Sequence, residues 1–238
     1  MDVIELLPRL HLLRFPVGQA YLWRDDEELT LIDAGAVGSG RTIADAITAL
    51  GRAPGDVRRI VLTHFHEDHA GGAGEFAALS GAEVLAHRLD APFVRVERPG
   101  PPPRFEEWEL PVHAEVSRRL PEGEPVVPAS VTPVSDGEVL GFGGGARVVH
   151  VPGHTDGSIA VLVPDEGVLF TGDTVAASPV DATVMPGVFN LDRRQLLDSL
   201  DRLASLDAEV ACFGHGDPVL VRASAALRRA TDNPTATG

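Results

Sequence analysis

Lysine is absent from this chain of 238 residues, so arginine supplies all 20 of its basic side chains. Without lysine the chain cannot use Schiff-base chemistry, and it cannot form a phosphate-binding loop of the Gly-Lys-Ser/Thr type. The 35 acidic residues give a formal net charge of −15. Nucleic acid is therefore not expected as a partner, because phosphate backbones are bound by clustered Lys and Arg.

Cysteine and long apolar runs are also scarce. Cys212 is the only cysteine, which excludes a disulfide within the chain and suits a reducing compartment. No apolar run reaches the roughly 20 residues of a membrane-spanning helix, and the opening MDVIELLPRL is unlike a secretory signal. We therefore expect a cytoplasmic protein with no membrane partner, folded as a single domain over residues 1–238. The sequence leaves the oligomeric state open.

The first part of the chain predicts short strands followed by alternating helices and strands. Four runs have the pattern of strands: VIELL, LHLLRF, AYLWR and LTLID. We expect Ser39 to cap a helix in GRTIADAITALG, whose apolar residues fall on one face. The next elements are a strand in RRIVLT, a helix near GAGEFAALSG and a strand in AEVLAH.

Strands and helices return in the second half, in a similar order. Strands are predicted in ARVVHVPG, SIAVLVPD, GVLFTGD and EVACFGH, and helices in DRRQLLDSLDRLASL and RASAALRRA. Two halves of this kind predict an α/β protein with a four-layer αββα sandwich, in which two mixed β-sheets are flanked by helices. The glycine-rich GFGGGA precedes a strand, so we interpret it as a hairpin turn and not as a phosphate loop.

Residues 88–130 differ from the rest because they contain a proline cluster, a tryptophan and at most a short helix near HAEVSRRL. Irregular segments of this length are uncommon inside a domain. We interpret the segment as an insertion that is either a plain connection or a lid over a functional site. Within it, Trp108 and Arg104 are the candidate substrate contacts, since one offers apolar area and the other a guanidinium.

Histidines and acids are concentrated directly after the predicted strand RRIVLT, in the sequence THFHEDHAGG. Further candidate metal ligands follow later strands, each beside a glycine, in PGHTDGS, TGDT and FGHG. Imidazole and carboxylate groups in this number suit two divalent ions about 3.5–4 Å apart. The ligand sets are His64, His66 and His154 for one ion and Asp68, His69 and His215 for the other, with Asp173 between them. The remaining histidines match no motif and are expected to be surface or core residues: His11, His87, His113 and His150.

Taken in order, these four motifs resemble the signatures of the metallo-β-lactamase-fold hydrolases, in particular the glyoxalase II-like dinuclear enzymes. The resemblance implies the αββα fold, the seven ligands above and a supporting role for Asp33 in LIDAG, which would hold the ligand loop by hydrogen bonds. It also implies two divalent metal ions, zinc first, with manganese or iron as alternatives. A hydroxide bridging the ions would attack the substrate, and Asp68 would carry its proton to the leaving group.

Several departures from the family's motifs reduce the number of activities that we expect. Zinc β-lactamases of the commonest subclass have cysteine where this chain has Asp173, and the related lactonases have a tyrosine that DTVAAS lacks. Glyoxalase II enzymes add a C-terminal helical domain that is not evident here. We predict hydrolysis of an ester-type bond in a small molecule, thioester first and lactone next. The alternatives are a persulfide dioxygenase-like enzyme with one iron and a β-lactam hydrolase.

Overall fold

A computed structural model describes residues 1–232, which divide into two units. The first unit contains residues 1–100 and 114–134, and the second contains residues 101–113 and those from 135 onward. Each unit has its own β-sheet and its own cluster of buried apolar side chains. In the part of the chain described, no helix combines the length and the apolar character needed to cross a membrane.

The sheet of the first unit has seven strands, which follow one another in chain order across the sheet. They are β1 (Asp2–Leu7), β2 (Leu10–Arg14), β3 (Gln19–Arg24), β4 (Leu29–Ile32), β5 (Val57–Val61), β6 (Glu83–His87) and β7 (Thr132–Val134). Strands β1 to β4 pair antiparallel, whereas β4 to β7 pair parallel. The parallel strands therefore bring their carboxyl ends, and the loops that follow them, to one edge of the sheet.

Short helices connect the parallel strands of this sheet. They are α1 (Ser39–Ala49), α2 (Glu67–Ala70), α3 (Ala73–Ser80) and α4 (Ala91–Val94), followed by α5 (Glu109–Ser117). The expected apolar face of α1 is present, with Ile43 and Ile47 in the same buried cluster as Phe76 of α3. Two of the helices, α4 and α5, lie within the segment 88–130, which is thus less irregular than its composition predicts. A lid function for that segment stays a prediction.

The expectation that Ser39 caps α1 is wrong. The cap is Gly38, whose φ of 80° lies in the left-handed region that glycine adopts most readily. The N–H of Gly40 in the first turn donates instead to Oε2 of Glu75 at 3.0 Å. Ser39 is the first helical residue and is buried, and its N–H donates to the carbonyl of Ala36. With Gly38 as the cap, the helix begins at Ser39, one residue earlier than a Ser39 cap would give.

The second unit contains a five-stranded sheet and a separate two-stranded ribbon. Its strands are β8 (Val139–Leu140), β9 (Ala146–His150), β10 (Ile159–Val163), β11 (Val168–Gly172), β12 (Val175–Ala177), β13 (Val184–Pro186) and β14 (Val210–Phe213). The large sheet has the order β14-β11-β10-β9-β8, with β11 parallel to β14 and the other pairs antiparallel. Strands β8 and β9 form an antiparallel hairpin around residues 141–145, which confirms the interpretation of GFGGGA.

Two helices cover apolar residues of this second sheet. They are α6 (Arg193–Ala204) and α7 (Ala223–Asp232), and their buried Leu200, Leu203 and Leu227 share one cluster with Phe213 of β14. Asp192 caps α6, its carboxylate accepting from the N–H of Gln195 at 3.0 Å. The predicted class is confirmed: this is an α/β chain built on two mixed β-sheets with helices.

Candidate metal centre

The first group of candidate ligands follows β5 at the edge where the parallel strands end. Residues 62–66 continue as a loop, and α2 begins at Glu67, so that Asp68 and His69 lie in its first turn. A nitrogen of His64 lies within 4.8 Å of a nitrogen of His66 and within the same distance of one of His69. A carboxylate oxygen of Asp68 lies equally close to His69. The loop thus gathers three imidazoles and one carboxylate within a few ångströms.

Asp33 holds this loop from the end of the neighbouring strand β4. Its Oδ1 accepts from the backbone N–H of Thr63 at 2.7 Å, and its Oδ2 accepts from the Thr63 hydroxyl at 2.8 Å. The same Oδ2 lies 2.9 Å from Nδ1 of His69. Asp33 is buried and has a φ of 60°, a conformation that is uncommon outside glycine. The carboxylate that the family resemblance singled out is therefore bonded to the ligand loop at three points.

These bonds determine which nitrogen of each ring carries the proton. An ionised carboxylate only accepts, so Nδ1 of His69 must donate to Asp33. The Thr63 hydroxyl also gives its hydrogen to Asp33, and its oxygen then accepts from Nδ1 of His64 at 3.0 Å. In the neutral form, both imidazoles therefore keep the lone pair on Nε2, the atom through which they would bind a metal ion.

Two further residues, Asp90 and Gly18, support the loop without having been predicted. The fully buried Asp90 accepts from the N–H of Phe65, which lies between His64 and His66, at 3.1 Å. The loop joining β2 to β3 packs against Asp68 at Gly18, where an added Cβ would lie 2.8 Å from the Asp68 backbone oxygen and 3.3 Å from its Oδ2. The geometry of the loop is thus fixed from two more sides.

The second group of candidate ligands lies at strand ends of the second unit. His154 comes four residues after β9, Asp173 follows β11 directly and His215 comes two residues after β14. Oδ2 of Asp173 lies 3.2 Å from Nε2 of His215 and 3.6 Å from Nε2 of His154. One carboxylate oxygen is thus placed between two imidazoles. A Cβ at Gly187 would collide with the backbone oxygen of Asp173, so this position accepts only glycine.

Asn190 is a contact of His154 that no sequence pattern indicated. The asparagine is buried, and its Oδ1 lies 3.2 Å from Nδ1 of His154. Its Nδ2 donates to the carbonyl of Gly187 at 2.8 Å, which fixes the orientation of the amide. No motif marks the FNLD sequence around it, and the contact joins residues 36 positions apart. Only the fold brings the two together.

The predicted substrate contacts Trp108 and Arg104 lie in the second unit, and both have structural bonds. The indole N–H of Trp108 donates to the carboxylate of Glu106 at 2.7 Å, and the ring is half-buried. The backbone N–H of Arg104 donates to the carbonyl of Asn190 at 2.8 Å, while its side chain is exposed. Their role in binding a substrate stays a prediction.

Cys212, His11 and His150 are assigned to neither group of candidate ligands. Cys212 is fully buried in β14, and burial raises the pKa of its thiol, so it is a packing residue. His11 is buried in β2, and its desolvation together with Arg24 lowers its pKa. His150 pairs through Nε2 with the backbone oxygen of Asp156 at 2.8 Å.

A groove of about 190 Å³ opens in the first unit. Its lining is mostly apolar and includes one guanidinium: Phe15, Pro16, Val17, Ala36, Ser39, Arg119 and Pro121. The wall formed by residues 15–17 belongs to the same short loop as Gly18, which touches Asp68. One wall of the groove is therefore directly followed in sequence by Gly18, the residue that contacts the ligand loop.

Comparison with known proteins agrees with these features. A family model described as the metallo-β-lactamase superfamily matches residues 13–215. The chain is 28% identical over 232 residues to "Probable metallo-hydrolase YqjP" of Bacillus subtilis, covering 86% of this chain and 69% of that protein. It is 29% identical over 198 residues to a hydroxyacylglutathione hydrolase of Rhodobacter capsulatus, covering 82% of this chain and 61% of that enzyme.

Solved structures of metallo-β-lactamase family proteins are also similar to this chain. A metallo-β-lactamase family protein from Thermus thermophilus, TTHA1429, is similar with a TM-score of 0.69 and 30% identity, over 96% of this chain and 79% of that one. MEM-A1, a subclass B3 metallo-β-lactamase from a soil metagenome library, has a TM-score of 0.72 at 24% identity, over 98% of this chain and 92% of that one. At that identity the second likeness concerns the fold alone.

Proposed function

The chain belongs to the metallo-β-lactamase superfamily, and on that premise we propose that it hydrolyses an ester-type bond in a small molecule with two divalent metal ions. A thioester is the first candidate substrate and a lactone the second. The observation that carries the proposal is the carboxylate of Asp173, one oxygen of which faces Nε2 of both His154 and His215. A carboxylate with imidazoles on two sides is the arrangement expected of a ligand shared between metal ions.

The donor atoms fit such ions. His64, His66 and His154 would hold one ion and Asp68, His69 and His215 the other, and Asp173 would serve as a ligand to both. All seven donors are nitrogen or oxygen, a set that suits zinc and also accommodates manganese or iron. When bound, divalent ions supply an activated water and polarise a carbonyl group.

The protein's own residues supply orientation and proton transfer. Asp33 and Thr63 hold His69 and His64 with Nε2 available for a ligand bond. To Asp68 we assign the role of taking the proton of the attacking water with one carboxylate oxygen and passing it to the leaving group. Its position is fixed by the first turn of α2 and by the contact with Gly18.

A thioester is the first candidate substrate because the name of one relative, hydroxyacylglutathione hydrolase, denotes the hydrolysis of a thioester. Hydroxyacylglutathione hydrolase matches this chain over 82% of its length, but the chain spans only about three fifths of that enzyme. We therefore propose that the substrate of this chain shares the acyl group of that enzyme's substrate, and we make no proposal for the thiol part. The groove along residues 15–17, with Arg119 in its lining, suits an apolar acyl chain with an anionic group.

Metal analysis combined with a hydrolysis screen tests the proposal. Protein loaded in turn with zinc, manganese and iron should bind two ions per chain and hydrolyse thioesters or lactones, and chelation should abolish turnover. The Asp173→Ala variant should lose affinity for both ions. A single iron together with sulfur-dependent oxygen uptake would overturn the proposal in favour of a dioxygenase, and turnover of β-lactams alone would overturn the substrate class.

A further inference from the structure

The loop before α6 contains a strained backbone position next to Asn190. Phe189 has a φ of 59°, which a bulky side chain seldom adopts because its Cβ is crowded by the backbone. Such strain persists only where surrounding contacts hold it. The strained φ of Phe189 therefore indicates that contacts hold this loop in one conformation.

A buried carboxylate holds this strained position. Glu109 is 1% exposed at the start of α5, and its Oε1 accepts from the N–H of Phe189 at 3.0 Å. Its Oε2 accepts from the N–H of Glu106 at 2.8 Å, which closes the turn that leads into the helix. A carboxylate is seldom buried unless its oxygens are bonded. Glu109 thus joins residues 101–113 to the loop at Phe189, 80 positions away in sequence.

The next residue, Asn190, has both ends of its side chain and its backbone bonded. Nδ2 donates to the carbonyl of Gly187, and the backbone oxygen accepts from the N–H of Arg104. The amide cannot rotate without losing the bond to Gly187, so Oδ1 is directed at Nδ1 of His154. Because an amide oxygen only accepts, Nδ1 of His154 must carry the hydrogen. The backbone N–H of Leu191 also donates to the carbonyl of His154, at 3.2 Å.

We propose that Asn190 is a positioning residue that selects the Nδ1–H tautomer of His154, and that Glu109 fixes the loop in the conformation that presents it. The selected tautomer leaves the lone pair on Nε2, the atom that faces Asp173. The metal role of His154 rests on the proposed function, whereas the tautomer is a property of this unit alone. Residues 101–113 thereby contribute to the ligand geometry through Glu109, although none of them is a ligand.

The tautomer is tested on metal-free protein by long-range ¹H–¹⁵N NMR at about pH 8, above the ordinary imidazole pKa. The His154 signal is assigned by its absence in His154→Gln. We expect Nδ1–H alone in the native protein and in Asn190→Asp, which keeps an oxygen acceptor, and a mixture of tautomers in Asn190→Ala. A single Nδ1–H tautomer in Asn190→Ala would overturn the assignment.

Metal affinity, measured by competition with a chromophoric chelator, separates positioning from a merely structural role. Asn190→Ala should weaken zinc binding by about 10- to 100-fold, as loss of a bond to a ligand histidine commonly does. Asn190→Asp should lose thermal stability, since it cannot donate to Gly187, but should keep an affinity close to native. If both variants lose affinity in proportion to stability, the residue only supports the loop and the proposal fails.

Glu109 is tested with Glu106 as its matched control. Glu106 lies in the same segment and bonds to Trp108 and Arg193 but not to Phe189. Glu109→Gln should weaken zinc binding and broaden the His154 signal, whereas Glu106→Gln should change neither. Equal effects of the two variants would contradict the role of Glu109. Because the NMR readout needs neither metal nor substrate, failure of the hydrolase assignment and failure of this inference are distinguishable.

Discussion

Oδ2 of Asp33 lies 2.9 Å from Nδ1 of His69, and the same oxygen accepts from the Thr63 hydroxyl. One carboxylate at the end of β4 thereby sets the tautomers of two imidazoles, His69 directly and His64 through Thr63. The aspartate adopts a positive φ to reach them. The bonding pattern needs two acceptor oxygens and no donor, which only an ionised carboxylate provides.

Asp33→Asn tests this requirement without disturbing the backbone, because asparagine also tolerates a positive φ. Its amide nitrogen must face one of the three donors that Asp33 now serves. We expect unfolding free energy to fall by about 1–3 kcal/mol and zinc affinity to fall by about 10- to 100-fold. Chemical denaturation and chelator competition measure the two effects. Asp56→Asn, a half-buried carboxylate of the same unit bonded to Arg52, is the control and should leave zinc affinity unchanged.

Gly18→Ala tests the contact between the β2–β3 loop and Asp68. The substitution adds a Cβ 2.8 Å from the Asp68 backbone oxygen, in a residue whose φ is +67°. Gly81→Ala is the matched control, with a φ of +76° and no atom within 4 Å of its Cβ. Both variants carry backbone strain of about 1–2 kcal/mol, but only Gly18→Ala should displace Asp68 and reduce turnover. Equal losses of turnover in the two variants would show that the contact has no functional consequence.

Local sequence patterns predicted most of the fold and all of the candidate ligands. Strand runs such as LTLID and the helix face of Ile43 and Ile47 depend on periodicity within a few residues, and the structure contains them. The ligands were visible because they follow strands in recognisable motifs, and His154, Asp173 and His215 each stand beside a glycine. Whether they bind metal in the proposed sets stays a prediction.

Contacts between residues that are distant in sequence could not be predicted from local patterns. Asn190 and Asp90 bond to His154 and Phe65 across 36 and 25 positions, and nothing in their own neighbourhoods distinguishes them from surface residues. For a related reason, the sequence predicts a helix near HAEVSRRL, whereas α5 begins four residues earlier, at Glu109. The turn that leads into this helix is stabilised by Glu109, whose second bond goes to Phe189.

Asp68→Asn separates metal binding from proton transfer. The variant keeps a neutral oxygen in place of the carboxylate but loses the group that would carry the proton. We expect kcat to fall by about 10²–10⁴-fold while two ions remain bound. Glu67→Gln, an acid one residue earlier in α2 that is assigned to neither ion, is the control and should turn over at the native rate. Near-native turnover of Asp68→Asn with full metal content would leave Asp68 as a ligand only.

Arg119 and Arg118 form a natural pair for testing the groove. Both are exposed and both form ion pairs with Glu115, so their surroundings and their effects on folding are closely matched. Only Arg119 lines the groove with Phe15 and Val17. Two guanidinium groups share one carboxylate here, which leaves a positive charge available to an anionic group of a substrate.

Arg119→Gln should therefore raise KM for thioesters whose acyl chain ends in a carboxylate. The increase should be up to about five-fold, because an exposed charge pair contributes roughly 0.2–1 kcal/mol. Thioesters with an uncharged acyl chain should show an unchanged KM, and kcat should be native for both, since the arginine is not assigned to the reacting atoms. Arg118→Gln should have no effect on either substrate. A rise in KM that is equal for charged and uncharged chains, or equal in the two variants, would exclude the groove as the binding place of the acyl group.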